Sequence, residues 1–248
     1  MTAPALLALA HGSRDPRSAA TVRALRDQVR ALRRDLRVDA AFLELSRPGH
    51  AEAFGRLAAD GVEEVVVVPM LLTQASHARV DVPSAVADAA ARTGMRIQTT
   101  PVLGARRSFL DVLDVRLRTT LAESRVRELD ALVLAAAGST DHVANAGVQR
   151  VARAWGARHR LPVLTAFASA TPPSTGEAVR QFRADGRRHI AVGSFFLAPG
   201  FLPDRAAELA LEAGAVAVSQ PLGADVEVAR TVLQRYAVGA VDLVPLPT

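Results

Sequence analysis

Two histidines and one glutamate are the residues whose types and spacing best fit metal chemistry. His11 follows the apolar run LLALA, Glu44 is the polar residue inside AAFLEL, and His77 lies in the stretch QASHARVD. Two neutral imidazoles and one carboxylate, with no fourth protein ligand evident, form an open site that suits iron, cobalt, nickel or zinc. Histidine also accepts protons near neutral pH. The chain has no cysteine, so any metal must be held by histidine and carboxylate.

Each of these residues also has a plain structural explanation. A histidine at a strand end can simply hydrogen-bond a loop, and Glu44 can pair with Arg47 or Arg79. The residue types alone therefore leave a functional and a structural interpretation open.

An internal repeat favours the functional interpretation. The segment LLALAHGSRD at 6–15 returns as LVLAAAGSTD at 132–141, with the same Gly-Ser and the same closing Asp but without the histidine. The three candidate positions all change in the second copy: Ala137 stands for His11, Ser169 for Glu44, and Leu202 or a neighbour for His77. A structural role would tend to survive in both copies.

The repeat extends along the chain and predicts a duplicated α/β unit. Residues 39–72 align with 164–197, sharing an Ala-Phe pair, a Pro before a helix and an Asp-Gly after it. Short apolar runs alternate with longer amphipathic stretches, which is typical of a parallel sheet flanked by helices. We therefore expect two domains, 1–128 with the metal site and 129–248 as a degenerate copy.

The expected elements place the three candidate residues at one edge of a sheet. The pattern predicts strands near 4–10, 39–45, 63–70, 96–100, 131–136, 162–168, 188–195 and 215–219. In the first half it predicts helices near 16–34, 49–60, 80–93 and 105–125. In a flavodoxin-like or Rossmann-like sheet of order 2-1-3-4, the strands before His11, Glu44 and His77 are neighbours, so these side chains lie within about 10 Å of each other.

Composition excludes several classes of partner. All 30 basic residues are arginine, which fits either a GC-rich genome or guanidinium groups that bind carboxylates. The formal charge is only +5 and aromatic residues make up 4%, so we expect no nucleic-acid role. No apolar run approaches the ~20 residues that cross a bilayer, and no signal peptide is evident, so we expect a cytoplasmic protein without a membrane partner.

Three motifs resemble those of the sirohydrochlorin chelatases of the CbiX and SirB type, the class II chelatases. They are LALAHGSRDPRS, FLELSRPGHAEA and VVVVPMLLTQASHARVDVP, in that order and at the expected spacings. The similarity covers nearly the whole chain, and the second half matches the degenerate copy of the long, two-domain members. The resemblance implies two tandem domains of the chelatase fold.

The resemblance also implies an activity and a set of residue roles. Such proteins insert iron or cobalt into sirohydrochlorin, giving sirohaem or a cobalamin precursor, without ATP or an organic cofactor. His11 and His77 would be the metal-binding and proton-accepting pair, and Glu44 their acidic partner. The chain lacks the His-rich tract of some cobalt-specific members, which favours iron.

A planar macrocycle suggests an arrangement for the two halves. We expect the ring to lie in a cleft built by both halves of one monomeric chain, with the second half as an apolar lid. The lid residues would be Phe195, Phe196, Leu197, Phe201 and Leu202, although core packing is an equal explanation for them. The ring carboxylates would meet arginines and turn residues: Gly12, Ser13, Arg14, Arg47, Ser76, Arg79, Gly138, Ser139 and Arg205.

Other functions and other histidines stay open at this point. A two-histidine site could store or carry metal or tetrapyrrole without chemistry, and a related enzyme could act on another macrocycle. His50 begins the second expected helix and could cap it or touch substrate, while His142 could reach the cleft. His159 and His189 are expected at the surface.

Overall fold

The computed structural model describes residues 3–73 and 76–244, with the backbone alone for 76–79. Strands and helices alternate along these residues. In the first half they are β1 Ala5–Ala10, α1 Pro16–Leu32, β2 Val38–Phe42, α2 His50–Ala59, β3 Glu64–Pro69, α3 Ser76–Thr93, β4 Arg96–Thr99 and α4 Phe109–Glu123. In the second half they are β5 Ala131–Ala136, α5 His142–His159, β6 Val163–Phe167, α6 Thr175–Ala184, β7 Ile190–Ser194, α7 Phe201–Glu212, β8 Ala217–Val218 and α8 Val226–Asp242.

The strands form two parallel four-stranded sheets of identical order. The first sheet runs β2-β1-β3-β4 and the second β6-β5-β7-β8. The central strands β1 and β5 are buried at every position, because helices cover both faces of a parallel sheet and leave no polar face. The sequence predicts a duplicated α/β unit whose parallel sheet has the strand order 2-1-3-4, and the structure confirms this prediction.

Two element boundaries differ from the predicted ones, and both concern candidate residues. Strand β2 ends at Phe42, so Glu44 lies in the following loop rather than at the strand end. The chain turns away there because the Glu44 amide donates to the His11 carbonyl in the β1–α1 loop, at 3.0 Å. Helix α3 begins at Ser76, so the backbone of His77 is helical rather than in a loop.

The compact units do not coincide with the two sequence halves expected as domains 1–128 and 129–248. One unit contains the chain up to Gly104 together with the chain from Ala224 onward, and the other is Ala105–Gly223. Helix α4 packs against β7 and β8, whereas α8 packs against α1, β3 and β4. The two halves therefore exchange their last helices. We call the units the first and the second unit.

Glycine explains how α8 fits on the first sheet. A Cβ atom on Gly239 would lie 2.7 Å from Val66 Cγ1 and 2.8 Å from Thr100 Cγ2, so only glycine allows the helix to approach this closely. The Tyr236 hydroxyl also donates to the Pro4 carbonyl at 2.7 Å. These contacts tie α8 to the first unit.

Each unit has its own apolar core. In the first unit Leu7, Phe54 and Val67 are fully buried, and in the second Val133, Val179 and Ile190 are. Burying one such side chain contributes roughly 1.5–3 kcal/mol, so these clusters dominate the stability of each sheet. None of the described helices combines the length and the apolarity that a membrane crossing needs.

Candidate functional site

The structure brings His11 and Glu44 together at the carboxyl ends of the first sheet. Strands β1 and β2 pair so that Ala10 faces Phe42, which places the residues after them side by side. His11 Nε2 lies 3.2 Å from Glu44 Oε1, and the two side chains are 35% and 56% exposed. A carboxylate at this distance orients the imidazole ring, and the two side chains can bind one cation together. Both groups remain accessible to a ligand.

The backbone of two touching loops fixes this pair. A Cβ atom on Gly12 would lie 1.7 Å from the Glu44 carbonyl oxygen, and Gly12 has φ +100°, so no other residue fits. Leu45 follows with φ +59°, and the Ser46 amide donates to the Glu44 carbonyl at 2.7 Å, forming a tight three-residue turn. The turn directs Leu45 outward, where its side chain is 54% exposed.

A serine clamp occupies the Gly-Ser turn that was expected to bind substrate. The Ser13 amide donates to Ser46 Oγ at 3.1 Å, and Ser46 Oγ donates to the Ser13 carbonyl at 2.9 Å. In the second unit the Ser139 amide donates to Asn145 Oδ1 at 3.0 Å, and Ser139 is buried. These amides have acceptors within the fold, so both serines stabilise their turns, and their contacts with substrate stay predictions.

The two glycines of these turns have the same structural role. A Cβ atom on Gly138, with φ +86°, would lie 2.2 Å from the Ser169 carbonyl oxygen, just as Gly12 meets the Glu44 carbonyl. The repeated Gly-Ser therefore preserves a close approach of two loops in both units. Substrate contacts of Gly12 and Gly138 stay predictions.

A cavity of about 380 Å³ opens beside the His11–Glu44 pair. Its described lining contains no arginine; it consists of His11, Leu43, Glu44, His50, Asp81, Ser84, Ala85 and Asp88. Two imidazoles and three carboxylates are donors that borderline divalent cations accept. The described lining is therefore acidic, in a chain whose net charge is positive.

From the sequence, His50 was expected to cap its helix or touch substrate, whereas the cavity residues Asp81 and Asp88 were not singled out. A signal was present, because Asp81, Ser84 and Asp88 share the i, i+3, i+7 spacing of one helix face. His50 is the first residue of α2, directly after the N-cap Gly49. At that position it resembles an ordinary helix start.

Some predicted residues lie outside the part of the chain whose side chains are described. These are Ser76, His77 and Arg79. Among the described residues, no three histidine, aspartate or glutamate side chains are close enough to form a metal-binding group. The observed core of the site is therefore the His11–Glu44 pair.

Two arginines beside the pair are exposed. Arg14 has no hydrogen-bond or ion-pair partner among the described residues, and its guanidinium group is therefore accessible. The Arg47 side chain is 92% exposed and its Nη1 lies 3.8 Å from Glu52 Oε2, a distant pair. A third candidate, Arg205, pairs with Glu208 at 3.2 Å on the surface of α7. Arg14 and Arg47 remain accessible to an anionic ligand.

The expected apolar lid divides into core and surface residues. Phe195 and Phe196 are buried, and Phe196 packs in the core of the second unit, so neither offers a face to a ligand. Leu202 is half-buried and packs against the same core. Phe201 is different, because it begins α7 and is 78% exposed. Of this set, Phe201 alone presents a large apolar surface.

Comparison with known proteins identifies relatives of the whole chain. The CbiX family model matches residues 5–120 and 131–238. The sirohydrochlorin cobaltochelatase of Priestia megaterium is 26% identical over 211 residues, which cover 82% of this chain and 67% of that protein.

Two solved structures have the same fold. SirB from Bacillus subtilis with Fe3+ has a TM-score of 0.80 and 23% identity, and the match covers 97% of this chain and 96% of that one. The sirohydrochlorin chelatase SirB from Bacillus subtilis subspecies spizizenii in complex with cobalt has a TM-score of 0.80 and 21% identity, covering 97% of both chains. Since the family model matches both halves and most of the length, the chain belongs to the CbiX family.

Proposed function

We propose that this protein inserts a divalent metal ion, ferrous iron or cobalt, into sirohydrochlorin without ATP or an organic cofactor. The observation that carries the proposal is the accessible His11–Glu44 pair beside an acidic cavity, in a chain of the CbiX family. The Priestia megaterium relative is named a cobaltochelatase, and the two SirB structures hold iron and cobalt, so relatives support both metals. Monomeric state and cytoplasmic location stay predictions from the sequence.

The chemistry of insertion explains why an open site is useful. A free-base tetrapyrrole carries two pyrrolic protons that must leave as the metal enters, so the protein must offer bases next to the metal. The His11 imidazole accepts a proton. The Glu44 carboxylate orients this imidazole and offsets the charge of the incoming cation. A site with few protein ligands releases its ion more readily than a closed four-ligand cage. His77 stays the predicted second histidine.

The substrate carboxylates need cationic partners. Arg14 and Arg47 follow β1 and β2, and their exposed guanidinium groups can each bind a carboxylate with two hydrogen bonds. We assign the binding of the carboxylates at the macrocycle rim to Arg14 and Arg47. Contacts of the macrocycle with Ser76 and Arg79 stay predictions. The exposed ring of Phe201 stays a predicted apolar contact of the macrocycle.

The substitution His11→Ala tests this proposal and installs the residue that the second copy carries. We expect the catalysed insertion rate to fall by about 10²-fold or more, since a positioned base contributes about that much. Circular dichroism and the melting temperature should stay near those of the parent protein, because the repeat tolerates alanine at this position. The matched control is His189→Ala, an exposed histidine that the sequence predicts at the surface. Full activity of His11→Ala would remove this pair from the reaction.

A further inference from the structure

Strand pairing allows a residue-by-residue comparison of the loop after β2, which carries Glu44, with the loop after β6. Strands β1 and β2 pair so that Ala10 faces Phe42, and β5 and β6 pair so that Ala136 faces Phe167. Phe42 therefore corresponds to Phe167. The residues that follow these two positions can be compared one by one.

Both loops contain the same strained turn. Leu45 has φ +59°, and Ala170 at the corresponding position has φ +66°. In each loop the amide after this residue donates to the carbonyl of the residue before it, at 2.7 Å in the first unit and 2.8 Å in the second. This left-handed conformation is disfavoured for residues other than glycine, asparagine and aspartate. Since alanine occupies the turn in the second unit, the turn itself does not require leucine.

The two loops differ in the side chains that they carry. In the first unit the loop has an acidic, a large apolar and a cationic side chain, at Glu44, Leu45 and Arg47. The corresponding residues of the second unit are small and uncharged: Ser169, Ala170 and Pro172. The backbone conformation is thus common to both units. The large side chain at the turn accompanies the His11–Glu44 pair and not the fold.

Leu45 is 54% exposed although its side chain is large and apolar. It lines a surface cavity of about 560 Å³ together with Arg47, and it is the one large apolar residue in the described lining of this cavity. A leucine that is half exposed in a disfavoured conformation gains little from packing, and strained residues of this kind cluster at ligand sites. An apolar group and a guanidinium group in one cavity suit a ligand with an apolar face and carboxylates at its rim.

We propose that Leu45 is a substrate-positioning residue, whose side chain contacts the apolar face of sirohydrochlorin beside the His11–Glu44 pair. Arg47 binds a carboxylate at the rim, so the two side chains hold the ring at a face and at an edge. The macrocycle is thereby oriented before the metal enters. This inference rests on the proposed function, because it takes the macrocycle of that function as the ligand.

The substitution Leu45→Asn tests the contact, because asparagine is polar but accepts the left-handed conformation. We would measure sirohydrochlorin affinity by absorbance titration of the full chain without metal. Covering the exposed half of a leucine is worth about 10-fold in affinity, so the Kd and the KM for sirohydrochlorin should rise by about 10-fold. The kcat at saturating sirohydrochlorin should stay nearly unchanged. The melting temperature should stay equal or rise by about 2–4 °C, since backbone strain is relieved.

Three further variants separate substrate contact from a structural role. Leu45→Met keeps a large apolar side chain and should keep most of the parent affinity. Ala170→Asn relieves the same turn in the second unit, so the melting temperature should again stay equal or rise. Leu211→Asn removes a leucine of matched exposure, 53%, near the end of α7 and should leave sirohydrochlorin binding unchanged.

The outcomes distinguish this inference from the proposed function. Parent-like sirohydrochlorin affinity in folded Leu45→Asn, or an equal loss in Leu45→Met, would overturn the Leu45 contact while metallation by the parent protein still supported the proposed function. Weakened binding by Leu45→Asn of a protein that binds sirohydrochlorin but never metallates it would support the contact and contradict the proposed function. A parent protein that binds no sirohydrochlorin would overturn both.

Discussion

At the scale of single residues, His11 and Glu44 could be predicted because each follows a strand and disappears in the repeat. His50 was named from the sequence as a helix cap or a substrate contact, but its place in the lining of the cavity could not be predicted, because that depends on how α2 packs against α3. For Phe196 the sequence left a lid and core packing as equal explanations, and the structure places this side chain in the core of the second unit. Apolar character alone did not separate it from the exposed Phe201.

Asp114, a buried carboxylate in the second unit, has three side-chain partners: Trp155, Arg158 and His159. Asp114 Oδ1 accepts from Trp155 Nε1 at 2.7 Å and contacts His159 Nε2 at 2.8 Å, and Asp114 Oδ2 accepts from Arg158 at 3.0 Å. Burial by itself would raise the pKa of Asp114. The hydrogen bonds outweigh burial and lower this pKa below its usual value. The network joins α4 to α5 and fixes α4 in the second unit.

The lowered pKa predicts how stability changes with pH. The folded state favours ionised Asp114, so its contribution is complete above the unfolded-state pKa and is lost as pH falls through the lower folded-state pKa. Asp114→Asn should cost about 1–3 kcal/mol at neutral pH and remove this acid-dependent part. Fluorescence of the sole tryptophan, Trp155, reports the unfolding.

A nearby aspartate is the matched control. The Asp111 side chain is exposed and accepts from Arg158 Nη1 at 2.7 Å, so Asp111→Asn should cost less than about 1 kcal/mol. Equal losses for Asp111→Asn and Asp114→Asn would contradict a special role for the buried carboxylate.

At the scale of elements, strand order and element alternation could be predicted because periodicity and the repeat specify them. The loop geometry could not, because the close approach of Gly12 to the Glu44 carbonyl depends on contacts between residues distant in sequence. Likewise, the acceptors of the Ser13 and Ser139 amides, Ser46 and Asn145, could not be predicted from the Gly-Ser motif itself. The loops position the site.

Gly12→Ala tests this positioning. A Cβ atom would meet the Glu44 carbonyl, so we expect a loss of about 3 kcal/mol in stability and, since Glu44 must move, an insertion rate at least about 10-fold lower. Gly138 makes the corresponding contact in the second unit, so Gly138→Ala should lower the stability of the protein by a similar amount without affecting Glu44. Gly61→Ala has open space and φ +76°, so it should cost only about 1 kcal/mol. Unchanged insertion by Gly12→Ala would contradict the role of this contact.

At the scale of the whole molecule, the chain is a duplication whose halves exchange their last helices. Sequence could not predict this exchange, because α4 and α8 are both amphipathic and either could cover either sheet. The choice depends on local fit, such as the space that Gly239 leaves for Val66 and the partners that Asp114 finds on α5. We therefore predict that the boundary near residue 128 marks the end of the repeat and not the end of an independently folding unit.

Fragments distinguish these two kinds of boundary. Residues 105–223 contain the complete second unit and should unfold cooperatively with Trp155 buried. Residues 1–128 lack α8 and should be poorly folded, because the face of β3 and α1 that α8 covers would be exposed. Circular dichroism and thermal unfolding of both fragments provide the measurement. A cooperative 1–128 fragment beside an unfolded 105–223 fragment would contradict the exchange.

The central claim is that this molecule is a catalyst of metal insertion. The most direct test is an anaerobic absorbance time course of sirohydrochlorin with ferrous iron or cobalt and a small amount of the full-length protein. We predict many turnovers above the uncatalysed rate, with the faster ion indicating the preferred metal. A spectral change that stops at one equivalent per protein, with no acceleration by either ion, would contradict the claim and indicate a binding protein.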